Sequence, residues 1–260
     1  MMRIDCRGAS GANIAKSEEL RLAYESLVKD GCVVLDHVLP EEKVQALRAE
    51  FDRRYAKYLE ASEFEDTLKV GNRRFMIPIE LSGGFGDPLV YAHPFVATLA
   101  RATLDQSAVL ESFGAVISFS GSRAQHIHRD GPPLFDSAIS PMLPAHALTF
   151  VLPLVEMNEA NGSTALWPGS HRWKKRDESV PPEAPRIPLG SCALWDFRLF
   201  HGGTANGSDA YRPIVYATYA RRWYSDPTNF DKAAQRRLTY DGDFLRSVPE
   251  DSRTFFAHVR

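Results

Sequence analysis

The hydrophobic pattern changes period partway along the chain. Ser17 to Asp30 reads as a helix: Ser17 supplies an N-cap oxygen, acids follow it, and Gly31 ends the run. Cys32-Val33-Val34-Leu35-Asp36 reads as a short buried strand. Pro40 opens a longer helix with Val44, Leu47, Phe51, Tyr55 and Tyr58 at helical spacing, a face expected in the core. From Glu63 to Tyr91 neither period holds, and the stretch is expected to be an irregular lid. Pro94 to Asp105 resumes a helix.

Beyond that helix, β-branched and aromatic residues gather in short runs. They are Ala115 to Phe119, His146 to Leu154, Thr164 to Trp167, Ser191 to Phe197 and Ile214 to Tyr219. Turn clusters such as Asn158 to Gly162 and Ala205 to Ser208 separate them. Helices followed by many short strands predict a mainly β fold with flanking helices packed on a two-sheet barrel or jelly roll. A single domain is expected over 1–260, with a helical N-terminal part (1–106), a barrel core (about 107–224) and a C-terminal extension (225–260) holding one helix from Pro227 to Leu238.

Composition narrows the class. The 260 residues are 44% hydrophobic and 25% charged, with net charge -2. Near-neutral charge argues against nucleic acid or an anionic membrane surface as the main partner. No apolar run approaches a membrane span, and the N-terminus lacks the apolar core of a secretory signal. Cys6, Cys32 and Cys192 are odd in number and widely spaced, so neither a disulfide framework nor a structural zinc is expected, and a cytoplasmic location is the default. Oligomeric state is not readable from the sequence.

The candidate chemistry lies in Gln125-His126-Ile127-His128-Arg129-Asp130. If this stretch is a strand, His128 and Asp130 share a face and suit a metal that takes an imidazole and a carboxylate on adjacent corners. Alone, His-x-Asp is a weak signal. Its context is a set of separated stretches: Gly31 to Leu35, Gln125-x-x-His128-x-Asp130, Asn161-Gly162-Ser163-Thr164 through Pro168-Gly169-Ser170-His171, Gly190 to Asp196, His201-Gly202-Gly203-x-x-Asn206, and Arg212. Together they resemble the phytanoyl-CoA dioxygenase family of Fe(II)/2-oxoglutarate-dependent oxygenases, from about Gly31 to Trp223. The resemblance implies a double-stranded β-helix, a cupin-like jelly roll with iron inside its mouth.

It also implies roles. His128, Asp130 and His201 occupy the family's iron-ligand positions. Arg212, 11 residues past His201 (212 − 201), matches the arginine that holds the distal carboxylate of 2-oxoglutarate. Arginine's planar fork suits that carboxylate. Thr164 is a candidate to add a hydroxyl to the same carboxylate and Gln125 to donate to the metal-bound end; both also fit as strand residues satisfying backbone. His126 reads as an outer-shell or pocket-lining residue, with a His-x-His ligand pair as its alternative. Arg73 and Arg74 are candidates for a carboxylate or phosphate of substrate, against two solvated loop charges. Phe75, Met76 and Phe85 are candidate pocket walls. Trp167, Trp195 and Trp223 read as packing, and His171 as structural.

The implied reaction couples decarboxylation of 2-oxoglutarate by dioxygen to C–H oxidation, most simply hydroxylation, of a small-molecule metabolite. Desaturation, cyclisation and epoxidation use the same site. A non-catalytic cupin-like metal-binding protein is the rival from another class.

Overall fold

The structure, a computed structural model, describes residues 1–8, 11–60, 64–230 and 234–259. Strand β1 (Met2–Asp5) and helix α1 (Glu18–Asp30) precede β2 (Cys32–Asp36), α2 (Glu41–Arg54) and α3 (Ala56–Glu60). Then come β3 (Leu68–Gly71), β4 (Arg74–Pro78), β5 (Glu80–Leu81), α4 (Pro88–Tyr91), α5 (Pro94–Thr103) and β6 (Val109–Ser118). The remaining elements are β7 (Ala147–Pro153), β8 (Thr164–Leu166), β9 (Cys192–Asp196), β10 (His201–Gly203), β11 (Arg212–Ala220), β12 (Thr239–Tyr240) and α6 (Phe244–Ser247).

Helix α1 is capped as its sequence requires. Ser17 Oγ accepts the Leu20 N–H at 3.2 Å, and Gly31 turns the chain at φ +73°. The helix expected after Pro40 is broken at Tyr55 into α2 and α3, and all five of its apolar residues are buried.

Eight strands form one sheet in the order β1-β2-β9-β7-β11-β6-β4-β3, antiparallel except for β1 against β2. A two-stranded sheet pairs β10 with β8. This is the expected mainly β jelly-roll class with flanking helices, although among the described residues backbone pairing does not close a barrel. Both faces of the large sheet are covered. Along β11, Val215, Ala217 and Tyr219 pack with the helices, while Ile214 and Tyr216 pack on the side of the small sheet. Alternate positions on β4, β6, β7 and β9 divide the same way. Among the described residues no helix is long and apolar enough to cross a membrane.

Three sequence expectations need correction. The stretch expected as an irregular lid is not one over its described residues, 64–91, with residue 63 outside them: β3 and β4 form a hairpin on the edge of the large sheet. Its alternation is hidden because the inward positions of β4 carry Arg74 and Met76, and the turn runs through Arg73 at φ +51°. Gln125 to Asp130 is not a strand but an extended loop, tied to β10 by the bridge between His128 and His201 and by the Gln125 N–H donating to the Gly203 carbonyl. No helix forms among the described residues between Pro227 and Leu238; 231–233 lie outside them. There the Asp226 carboxylate accepts the N–H groups of Thr228 and Asn229, which favours a turn. The last part of the chain also joins the core, with Phe244, Val248, Phe255 and Phe256 buried in its main cluster.

Candidate active site

A cavity of about 160 Å³ is lined by inward residues of the large sheet and by Thr164, His201 and Gly203 of the small one. At one side His128 and His201 face each other, each backbone N–H donating to the other's carbonyl at 2.9 Å. Their rings stand 4.4 Å apart, and His201 Nε2 lies 3.3 Å from Asp130 Oδ1. One ligand atom from each of His128, Asp130 and His201 falls within 4.8 Å of the others.

The surroundings orient all three. His128 Nδ1 bonds the His126 carbonyl at 2.9 Å, and His201 Nδ1 bonds the Leu199 carbonyl at 3.0 Å. A carbonyl only accepts, so each Nδ1 carries a proton, and in the neutral ring Nε2 then keeps its lone pair for the gap. Asp130 Oδ2 accepts from Thr149 Oγ1 at 2.6 Å and Trp195 Nε1 at 2.9 Å. Two donors on Oδ2 leave Oδ1 to face the histidines. Burial pushes the Asp130 carboxyl up, but His201, Thr149 and His128 together bring it down to about 2. Burial and the neighbouring His201 push His128 down to about 4. Burial lowers His201 too, and the adjacent Asp130 outweighs it and raises that imidazole. A carboxylate and an imidazole that stays neutral at physiological pH are ligand forms a metal needs.

The other side of the cavity is cationic. Arg74 and Arg212 both pair with Ser118 of β6, one from each flank, so the three side chains share the inner face. Arg74 is 1% exposed and Arg212 2%. Arg212 Nη1 donates to the Gly162 carbonyl at 3.0 Å, and Arg74 Nη2 to Ser118 Oγ at 3.1 Å and the Thr204 carbonyl at 2.7 Å. Arg212 Nε, Arg74 Nε and Arg74 Nη1 are buried without partners. Burial brings Arg74 down to about 10; burial and the nearby Arg74 bring Arg212 down to about 9. Neither arginine forms an ion pair with a described acid. Buried cations in that state are costly unless an anion joins them.

Of the residues singled out from sequence, His128, Asp130, His201, Arg212, Thr164, Gln125, Arg74 and Met76 line one cavity. Gln125 spans the loop as well: its Nε2 donates to Val70 O at 2.6 Å and its Oε1 accepts from Gly203 N at 2.8 Å. Arg73, Phe75 and His126 do not line it. Arg73 is exposed and donates to Ser120 O, Phe75 packs edge-on to Phe119, and His126 is exposed and meets His128 through its carbonyl. Phe85 is buried against Tyr55. Trp195, read as packing, reaches the Asp130 carboxylate. Thr149, Asp226, Asn229 and Phe230 line the cavity without having been singled out. A threonine on the inward face of a buried strand was a readable signal; the C-terminal residues carried none.

Comparison with known proteins gives a concordant picture. The model of the family described as phytanoyl-CoA dioxygenase (PhyH) matches residues 27–214. The chain is 28% identical over 204 residues to the dioxygenase trt7 of Aspergillus terreus, covering 73% of this chain and 69% of that protein. It is 23% identical over 212 residues to the iron/alpha-ketoglutarate-dependent dioxygenase okaE of Penicillium ochrochloron, covering 75% and 67%. For the dioxygenase olcK of Penicillium canescens the chain spans 66% of the relative's length, and for the dioxygenase af480 of Aspergillus fumigatus 54%. Among solved structures, HygX from Streptomyces hygroscopicus with nickel, 2-oxoglutarate and hygromycin B superposes with TM-score 0.63 at 15% identity, covering 85% and 97%. The epimerase SnoN in complex with Fe3+, alpha ketoglutarate and nogalamycin RO gives TM-score 0.60 at 19%, covering 85% and 94%. At such identities the structures establish the likeness of fold.

Proposed function

Because the chain belongs to the phytanoyl-CoA dioxygenase family, we propose that it is an Fe(II)- and 2-oxoglutarate-dependent oxygenase that hydroxylates a C–H bond of a small-molecule metabolite. The observation that carries this reading is the pairing of two incomplete sites in one cavity. One is a convergent His128–Asp130–His201 donor set; the other is two buried, unpaired guanidinium groups on the Arg74–Ser118–Arg212 row. The donor set fits a divalent iron that keeps open positions, and the cations fit the far end of a dicarboxylate.

In this reading His128, Asp130 and His201 hold the metal by Nε2, Oδ1 and Nε2. Thr149 and Trp195 keep the second Asp130 oxygen occupied, so the aspartate binds through one oxygen and the remaining positions stay free. Arg212 takes the distal carboxylate of 2-oxoglutarate, with Thr164 beside it and Arg74 as the second cation. This assigns Arg74 to the co-substrate instead of the substrate. Val70, Met76, Val116, Val151 and Ile214 form apolar walls that exclude water and present a carbon atom to the metal. Bound Fe(II) with 2-oxoglutarate supplies the activation of dioxygen that an unactivated C–H bond requires.

The test is succinate release and dioxygen uptake by the purified chain given Fe(II) and 2-oxoglutarate, with product mass followed for candidate metabolites. Gain of one oxygen atom supports hydroxylation. A new isomer of unchanged mass, resolved from the substrate and formed with a reductant present to supply the remaining two electrons, replaces hydroxylation with an isomerising outcome. Absence of any Fe(II)-dependent succinate removes the reading.

A further inference from the structure

The residues after β11 lie beyond the stretch matched by the family, yet they reach the metal site. Asn229 Nδ2 donates to two acceptors, the backbone carbonyl of Asp130 at 3.1 Å and Asp226 Oδ2 at 2.7 Å. A primary amide has two N–H groups, so both are committed and the amide plane is set. Asp226 is itself anchored. Its Oδ1 accepts from Thr228 N at 2.8 Å and Thr228 Oγ1 at 2.9 Å, and its own N–H donates to Glu111 Oε1 at 2.8 Å. Glu111 is buried on β6 and pairs with Arg237, whose Nη2 donates to the Asp226 carbonyl at 2.6 Å. A hydrogen-bonded path therefore runs from a core strand through Glu111, Asp226 and Asn229 to the backbone of Asp130.

Asp130 needs such support. It stands in a loop outside any strand, and Pro132 and Pro133 just beyond it donate no N–H to a ladder. Its N–H bonds the Phe197 carbonyl at 3.1 Å, and Asn229 takes its carbonyl on the other side. Without that contact the Asp130 carbonyl loses its partner, and the N–H bond to Phe197 alone fixes the backbone at this point.

We propose that Asn229 is a positioning residue of the metal centre, fixing the Asp130 backbone so that its carboxylate meets the two imidazoles. The inference rests on the reading of His128, Asp130 and His201 as metal ligands.

The experiment uses Co(II) as the metal probe in the full chain, following its ligand-field absorption and its dissociation constant, with circular dichroism to confirm folding. Wild type binds Co(II), and His201→Ala loses that binding. Asn229→Ala and the better-filling Asn229→Leu weaken Co(II) about tenfold, the lower end of what outer contacts to metal ligands contribute, and alter the ligand-field spectrum. Arg237→Met, which loosens the far end of the path, shifts the spectrum in the same direction by less. Native-like Asn229→Leu with wild-type affinity and spectrum overturns the inference while leaving the triad in place. Equal Co(II) binding by wild type and His201→Ala overturns the triad reading itself.

Discussion

At the scale of single residues, the site is built by donors that fix one atom and release another. Asp130 shows it best, since Thr149 and Trp195 occupy Oδ2 and leave Oδ1 free. Thr149→Val and Trp195→Phe should each lower Fe(II) affinity by about tenfold or more, measured by competition with a chelator, because the carboxylate then swings or chelates through both oxygens. Arg212 shows the opposite arrangement, a buried cation held incomplete. Arg212→Met should weaken 2-oxoglutarate by about 2 to 5 kcal/mol, which is at least about thirtyfold in titration. The same change should raise the melting temperature of the ligand-free protein, because a desolvated charge without a counter-ion is removed. His128, Asp130, His201 and Arg212 were legible from motif and spacing. Trp195 was not, because a tryptophan in an apolar strand looks the same whether its N–H meets a carbonyl or a metal ligand. Arg73 and Arg74 were indistinguishable as neighbours in sequence; Arg73 sits exposed in the turn at φ +51°, while Arg74 opens β4 on its inward face and enters the cavity.

At the scale of elements, β10 carries two tasks within three residues. His201 faces the metal side, and Gly203 lies against Arg74 and Gln125. A Cβ on Gly203 would come within 1.8 Å of Arg74 Nη1 and 2.8 Å of Gln125 Oε1. Gly203→Ala should therefore displace Arg74 and weaken 2-oxoglutarate about fivefold or more, consistent with an overpacking cost of about 1 to 3 kcal/mol, while Fe(II) affinity stays within about threefold. Isothermal titration with each ligand separates the two effects, and equal losses would mean that β10 moves as a whole. Helix α1 and strand β2 were readable because caps and continuous apolar runs act locally. Strand β4 was not, because it is defined by pairing with β6, and its inward positions were given to a cation and a methionine. The condition that Gln125 to Asp130 form a strand is not met, for a related reason. Ligands can be aligned by a few backbone bonds to β10 and side-chain anchors without a continuous ladder.

At the scale of the whole molecule, the helix-backed sheet carries Arg74, Thr149, Trp195 and Arg212 on its inner face, and the small sheet with its neighbouring loop brings His201, His128 and Asp130 to the same cavity. The C-terminal residues belong to both, since Phe255 and Phe256 enter the core and Asn229 and Phe230 line the cavity. Ligands that bind only the folded state stabilise it by mass action, about 2.7 kcal/mol at a hundredfold excess over Kd. Thermal unfolding should therefore rise in two steps, with metal and then with 2-oxoglutarate, and Arg212→Met should lose the second step alone. The most direct measurement is an anaerobic titration of the full chain with Fe(II) and 2-oxoglutarate, following the metal-to-ligand charge-transfer absorption. The wild-type protein should develop the band at one equivalent of each, and Asp130→Ala and His201→Ala should not. No band in a folded wild-type protein, or an undiminished band in His201→Ala, would contradict the assignment of this cavity as an iron and 2-oxoglutarate site.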